Sequence, residues 1–395
     1  MTQRVITRHG RYISVHGTLV NPAISVRSTK WTVCDWALEE LDQNLVWQAG
    51  LAASRAQSSG RFEEALKLIV NGEFVKDPAA WPGGLGTPES PWEWLDRIIR
   101  SAEGGPESVL YYARGLQEYH RGLFETLVGG LAPLLARSGL PRGYIESELF
   151  LGRYSATPGG IHREGCTNLH MVLQGQKVMH LWDNSDWIPA GTDVRADVDP
   201  LGHVEEEYLP NLRFSDVEHL TTTTLRPGPG QAMFWRSGIW HVGDTPEPSL
   251  SVNVAMYTGS FDNPRPWIEV PVGPDGRLPV EWLAEYRNYA GLAQTDAEAL
   301  ALVSAVGMRG VPPEGPAPTA APLVVRRRSP APLLWARDGS EVLAAAYGAV
   351  ERFPAATADW LGSLSASASG EELVVPSEAA EAARWLQYNS LVDAA

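Results

Sequence analysis

The sequence predicts an antiparallel β core, a sandwich or barrel, set between an N-terminal helical layer and a small, mainly helical C-terminal domain. Three features carry that expectation. Between residues 144 and 268, short apolar or alternating runs are separated by Gly, Pro, Asp and Asn, the pattern of many short strands. Before and after this stretch the apolar residues recur at helical spacing instead. The chain's 395 residues, 44% of them hydrophobic, provide material for two or three such units.

In chain order, residues 11–33 alternate apolar and polar around Asn21-Pro22, which predicts two short strands and a turn. From Asp35 to about Gly139, Leu38, Leu41 and Leu45, and later Leu95, Ile98 and Ile99, fall on single helical faces. Ser90-Pro91-Trp92-Glu93 offers a capping serine, a first-turn proline and a glutamate that can reach back. Core strands are expected at 146–154, 167–173, 177–182, 231–235 and 250–257. Helices are expected at 279–290 and 296–307, the second opened by Thr295-Asp296-Ala297-Glu298, a further capping box. Residues 310–331, rich in Pro and Ala, read as an extended linker, with Arg326, Arg327 and Arg328 as a solvated stretch. Beyond it, 340–353, 355–365 and 377–392 read as helices, with a short apolar run at Leu373-Val374-Val375. The domain division is therefore 1–140, a core at 141–270, a helical region at 271–309, the linker at 310–331 and a C-terminal domain at 332–395.

Charge and cysteine content narrow the function classes. Acidic residues outnumber basic ones 47 to 32, a net −15, which argues against a general affinity for nucleic acid or anionic membrane. Cys34 and Cys166 are too few for a disulfide framework or a cysteine-rich zinc site, so a reducing compartment, the cytoplasm, is expected. No apolar run reaches the ~18 residues of a membrane helix.

The residues that could carry chemistry are His162, Glu164 and His241. Two histidines and a carboxylate can occupy one face of an octahedral Fe(II) and leave the opposite positions open. A His-x-acid triplet alone says little, because nine histidines and 47 acidic residues give about one by chance. The chain has two. His203-Val204-Glu205 lies in the polar stretch 199–207 and reads as a wet acidic loop. His162 has different surroundings: a strand, the turn Thr157-Pro158-Gly159-Gly160, then His162-Arg163-Glu164. Asn168 opens the next apolar strand, and Lys177 follows the turn at Gly175. Further on, Pro227-Gly228-Pro229-Gly230 precedes a strand and the pair Trp240-His241, and Asn253 lies in the last alternating run.

Residues 146–257, in this order, resemble the JmjC branch of the cupin-fold Fe(II)/2-oxoglutarate oxygenases, which includes asparaginyl hydroxylases and ribosomal oxygenases. The resemblance implies a double-stranded β-helix, or cupin jelly roll, for the core. It implies metal ligation by His162, Glu164 and His241, with Fe(II), 2-oxoglutarate and dioxygen as cofactor and co-substrates. Lys177 would pair with the distal carboxylate of 2-oxoglutarate; with only four lysines against 28 arginines, a lysine at that place is informative. Asn168 and Asn253 would hydrogen-bond the co-substrate or order the ligands, and Thr157 would assist at the distal carboxylate. Residues 332–395 are similar in layout to the winged-helix domain of ribosomal oxygenases.

Three departures accompany the likeness: Gly159 and Gly160 lengthen the turn before His162, Pro229 replaces an acidic residue, and Tyr111, Tyr112 and Tyr144 all remain open as the tyrosine for 2-oxoglutarate. His170 and His180 are expected as core histidines and Cys166 as a non-ligand, while Tyr154 either closes the co-substrate pocket or packs. The expected activity is hydroxylation of a side chain of a peptide or protein substrate, with no nucleic-acid or membrane partner and with a homodimer as an open possibility. Hydroxylation of a free amino acid or small natural-product intermediate, and a non-catalytic cupin binding protein, are the alternatives.

Overall fold

The computed structural model describes residues 29–395 except 37, 39, 59–65, 85–89, 102–107, 158, 199–203, 260 and 262–266. Most of the strand pair expected at 11–33 lies outside the described residues. The core strands are β1 (Trp31–Asp35), β2 (Leu66–Val70), β3 (Glu73–Phe74), β4 (Val109–Arg114), β5 (Ile145–Tyr154), β6 (His162–Glu164), β7 (Cys166–Gln174), β8 (Val178–Trp182), β9 (Arg195–Val198), β10 (Val204–Tyr208), β11 (Thr223–Leu225), β12 (Gln231–Trp235) and β13 (Trp240–Tyr257). One sheet runs β1-β12-β7-β13-β5-β4-β2-β3, and the second comprises β9-β10-β6, the first part of β13, β8 and β11. β13 belongs to both, and its register shifts between Thr245 and Ser249, where it passes from one to the other. A bulge of this kind bends a strand and lets it turn a sheet corner.

Alternation decides what each side of the larger sheet does. Odd-numbered residues of β5, Ile145, Leu149 and Leu151, face the helices, with Tyr111 of β4 packing on Trp47 and Trp94. The even-numbered residues Glu146, Glu148, Phe150 and Tyr154 face the opposite sheet. Burying each large aromatic on the helix side stabilises the fold by roughly 1.5–3 kcal/mol.

The helical layer consists of α1 (Gln43–Ser58), α2 (Pro91–Ser101) and α3 (Arg121–Ser138). Its segment also supplies β2, β3 and β4, so the stretch read as purely helical widens the core sheet. The Ser90 capping box is formed: Glu93 N–H donates to Ser90 Oγ and Ser90 N–H to Glu93 Oε2. The acidic stretch read as a loop contains β10, paired with both β6 and β9, while His203 lies outside the described residues. A short helix, α4 (Phe214–Val217), precedes β11. After the core come α5 (Val280–Ala290) and α6 (Asp296–Ser304), the latter with its Thr295/Glu298 capping box in place. Among the described residues no helix is long and apolar enough to cross a membrane.

The C-terminal part departs further from expectation. Residues 340–353 form no helix; β15 (Leu334–Asp338), β16 (Glu341–Ala346) and β17 (Ala349–Pro354) make an antiparallel sheet. Tyr347 and Gly348, both at positive φ, form the two-residue turn that joins β16 to β17. The alanines that favour a helix are overruled because Val342 to Ala346 are all buried in the sheet. Part of the expected linker is β14 (Val324–Arg327), paired with β18 (Glu372–Val374) and β19 (Val392–Ala394). Arg327 is buried and donates to the carbonyls of Ser329, Ala331, Leu364, Ser365 and Ser367, so the three arginines are not one solvated run. Helices α7 (Ala358–Ala366) and α8 (Ala380–Tyr388) complete this part.

Candidate metal centre

β6 begins at His162 and ends at Glu164, so alternation points both side chains to one face. β13 meets β6 at a single position, His241 opposite His162, and the two rings lie 4.2 Å apart. One ligand atom each from His162, Glu164 and His241 lies within 4.8 Å of the others, a cluster able to hold a metal ion. Each histidine is tied from behind: Nδ1–H of His162 donates to Gly160 O at 3.0 Å and Nδ1–H of His241 to Ile239 O at 2.9 Å. This leaves the Nε2 lone pair of each ring as the free donor, and such backing is how metal-binding histidines are oriented. Burial, reinforced by His162, pushes His241 down to about 4, so its ring is neutral near pH 7. Burial acts to raise the Glu164 carboxyl, but His241, His162 and the Asn168 hydrogen bond outweigh it and hold it ionised. Two imidazoles backed through Nδ1 and a carboxylate suit a divalent transition metal with open positions.

A polar chain runs from Glu164 across the inner face of the larger sheet. Asn168 Nδ2 donates to Glu164 Oε1 at 2.9 Å, and Asn253 Nδ2 donates both to Asn168 Oδ1 at 2.6 Å and to Glu148 Oε2 at 2.8 Å. Tyr112 Oη donates to Glu148 Oε1 at 2.5 Å. Burial, with Glu146 and Glu164 nearby, pushes Glu148 up to about 7. Glu148 was not anticipated. The signal was present as two glutamates at alternate, inward positions of an otherwise apolar strand, Glu146 and Glu148.

Lys177 follows the β7–β8 turn, where Gly175 has φ 73° and a side chain would run into Pro248 and Ser249. It is 1% exposed, its ammonium bonded to the Tyr154 hydroxyl and lying 5.1 Å from the Phe150 ring centre. Among the described residues no carboxylate reaches ion-pair distance of it, and burial pushes it down to about 7 against the pull of Asp244. A buried cation with a neutral partner is costly, and an incoming carboxylate would relieve that cost. Gly243 makes room: a Cβ there would lie 2.7 Å from Thr157 Oγ1 and 3.0 Å from Lys177 Nζ. Thr157 is held by this strand, its hydroxyl donating to Gly243 O and accepting from Gly243 N–H.

The remaining residues sort cleanly. His170 is buried and bonded through Nε2 to Ser251 Oγ at 2.7 Å, and His180 contacts Thr224 and the Phe214 ring. Cys166 donates to Asn168 Oδ1 and stands outside the ligand cluster. Tyr111 faces the helices and donates to Gly50 O, which removes it from the site. Tyr144 stacks on Tyr257 and accepts from Arg114, so the tyrosine beside Lys177 is Tyr154. Glu206 of β10 pairs in register with Glu164 and borders the ligands, in the stretch read as a loop.

Two facing sheets bridged by one long strand, with a His-x-Glu…His cluster between them, give the core the cupin-like two-sheet architecture expected from the sequence. No protein-family model matches the chain, and no curated protein matches it. Among solved structures, the chain is similar to YcfD, a ribosomal oxygenase from Escherichia coli, at 13% identity and TM-score 0.43, over 92% of this chain and 94% of that one. The same protein in complex with cobalt and 2-oxoglutarate aligns at 13% identity and TM-score 0.37, over 86% and 97%. A cupin superfamily protein from Desulfitobacterium hafniense DCB-2 aligns at 8% identity and TM-score 0.17, over 29% and 68%.

Proposed function

We propose that the protein is an Fe(II)- and 2-oxoglutarate-dependent oxygenase that hydroxylates a side chain of a peptide or protein. The observation that carries the reading is the pairing of two features in one barrel: a three-donor cluster with both Nε2 atoms turned inward, and a buried lysine with no carboxylate at ion-pair distance among the described residues. His162, Glu164 and His241 would hold the iron; Lys177, with Tyr154 and Thr157 beside it, would bind the distal carboxylate. When bound, iron, 2-oxoglutarate and dioxygen would supply oxidation of a substrate C–H to C–OH, with succinate and carbon dioxide as co-products. The protein's part is to fix the ligands, keep His241 neutral, orient the dicarboxylate and exclude water. For a polypeptide substrate the support is the surplus of acidic residues and the β9–β10 rim beside the ligands, where Asp197 and Glu206 stand near exposed Val198.

The test is succinate formation from 2-oxoglutarate in the presence of Fe(II), with screening of cell-extract peptides for the mass gain of one oxygen. Replacing His162, Glu164 or His241 with Ala should abolish metal-dependent turnover and leave the fold largely intact. Full activity in all three variants would overturn the assignment. Hydroxylation of a free amino acid with no modified peptide would move the substrate class to small molecules.

A further inference from the structure

We propose that Glu148 is a positioning residue for Glu164, acting through Asn253 and Asn168 to dictate which end of each amide faces the carboxylate of the candidate metal centre. The inference rests on the metal-binding reading above. Its argument is one of hydrogen-bond direction. Above about pH 7 the Glu148 carboxylate is ionised, and an ionised carboxylate only accepts. Tyr112 donates to one oxygen of Glu148, and the other faces Asn253, which must therefore present its NH2 group. The second hydrogen of that NH2 goes to Asn168 Oδ1, so the side of Asn168 left for Glu164 is again an NH2. Reversing Asn253 would set its oxygen against both Glu148 and Asn168 Oδ1, and reversing Asn168 would set oxygen against Glu164 and NH2 against the NH2 of Asn253.

A second observation shows that this direction is imposed. Asn253 Oδ1 is buried with no hydrogen-bond partner among the described residues. Nothing on the Oδ1 side selects the observed amide orientation; the acceptors on the Nδ2 side do. A buried acceptor left unpaired carries a penalty that is sustained only where the groups opposite require it. Cys166 favours the same orientation of Asn168, its thiol donating to Asn168 Oδ1 and its carbonyl accepting from Asn168 Nδ2, while Glu148 fixes the Asn253 amide that completes the chain to Glu164, whose Oε1 lies 3.7 Å from His241 Nε2. Groups behind a metal-binding carboxylate affect metal affinity by about tenfold to a hundredfold.

The experiment is a titration of the full-length apoprotein with Co(II), following affinity and the visible absorption of the bound ion. Glu148→Leu should weaken Co(II) binding by about tenfold to a hundredfold and shift the absorption band. Glu148→Gln can still offer an oxygen to Asn253 and its NH2 to the Tyr112 hydroxyl, so it should stay within a few-fold of the wild type in affinity and keep the band. Wild-type affinity and spectrum in Glu148→Leu would overturn the proposal, and so would a Gln variant as impaired as the Leu variant. Should Glu148→Leu fail to fold, Asn253→Asp, an isosteric acceptor-only replacement, carries the same expectation, and unchanged Co(II) binding there would overturn it. His241→Ala separates the two readings. If the wild type binds no Co(II), or if His241→Ala binds like the wild type, the metal-binding reading itself fails.

Discussion

Lys177 concentrates the electrostatics of the site in one ammonium. Its folded pKa of about 7 lies below the ordinary 10.5, so as pH rises the folded protein releases this proton before the unfolded chain does. Between those values the unfolded state binds more protons, and stability rises with pH. The urea midpoint should increase from about pH 7.5 to 9.5, and Lys177→Met should flatten that rise. Glu148 has the opposite sign: raised from 4.5 to about 7, it makes the folded state the better proton binder in that range, so stability falls as pH rises through it. A dicarboxylate seated on Lys177 would restore its charge. Calorimetry of 2-oxoglutarate binding near pH 8, in buffers of different ionisation enthalpy, should therefore report uptake of about one proton. Lys177→Ala should weaken the binding by at least ~2 kcal/mol. Unchanged affinity with no proton uptake would separate Lys177 from the co-substrate.

At the scale of elements, β5 is the strand on which both faces of the molecule depend. Gly152 sits in its interior, where β4 comes so close that any Cβ would overlap the backbone at Val109. Gly152→Ala should force β4 away from β5 and lower stability by about 1–3 kcal/mol, read as a drop in the thermal midpoint. Because β4 carries Tyr112 and β5 carries Glu148, the same variant should also loosen the polar chain behind Glu164. The strands with alternation or turn residues around them, β5, β7, β8 and β12, were legible from periodicity. β2 and β4 were not, because five- or six-residue runs such as Leu66–Val70 give no period that distinguishes a strand from part of a helix. β13 was anticipated only from residue 250, since Gly243 to Pro248 interrupt its pattern where the strand changes sheets.

Across the whole molecule, the C-terminal part is packed into the same hydrophobic cluster as the N-terminal helices and the core sheet. Tyr347 lies 6.1 Å from the Phe124 ring of α3, and Arg121 donates to Asn389 O. Deleting residues 332–395 would bare this cluster, so point substitutions are the cleaner probe of what the region does for a peptide substrate. Arg327 is the natural choice. Its guanidinium serves five carbonyls and, among the described residues, pairs with no carboxylate, with burial drawing its pKa down. Arg327→Leu would leave those carbonyls short of donors and should cost about 3 kcal/mol or more. Limited proteolysis should then cut within residues 320–395, while Co(II) affinity at the distant triad should stay near the wild-type value. Loss of both together would mean that the C-terminal part and the barrel unfold as one unit.

Several strands of the barrel and the pairing of His162 with Glu164 could be read in the chain because both depend on local order, whereas His241 was singled out by the resemblance. Side chains alternate along a strand, so His162 and Glu164 two residues apart share a face, and Gly or Pro must punctuate the turns between strands. Long-range pairing was not readable in this way. That β13 meets β6 at one residue, that Glu148 lies two amides behind Glu164, and that Tyr154 rather than Tyr111, Tyr112 or Tyr144 stands beside Lys177 all follow from the register of strands distant in sequence. The hairpin at Tyr347-Gly348 shows the same limit from the other side. Alanine's local preference for helix was outweighed by burial against partners that no neighbouring residue reveals, because packing energy accumulates over contacts that only the closed fold creates.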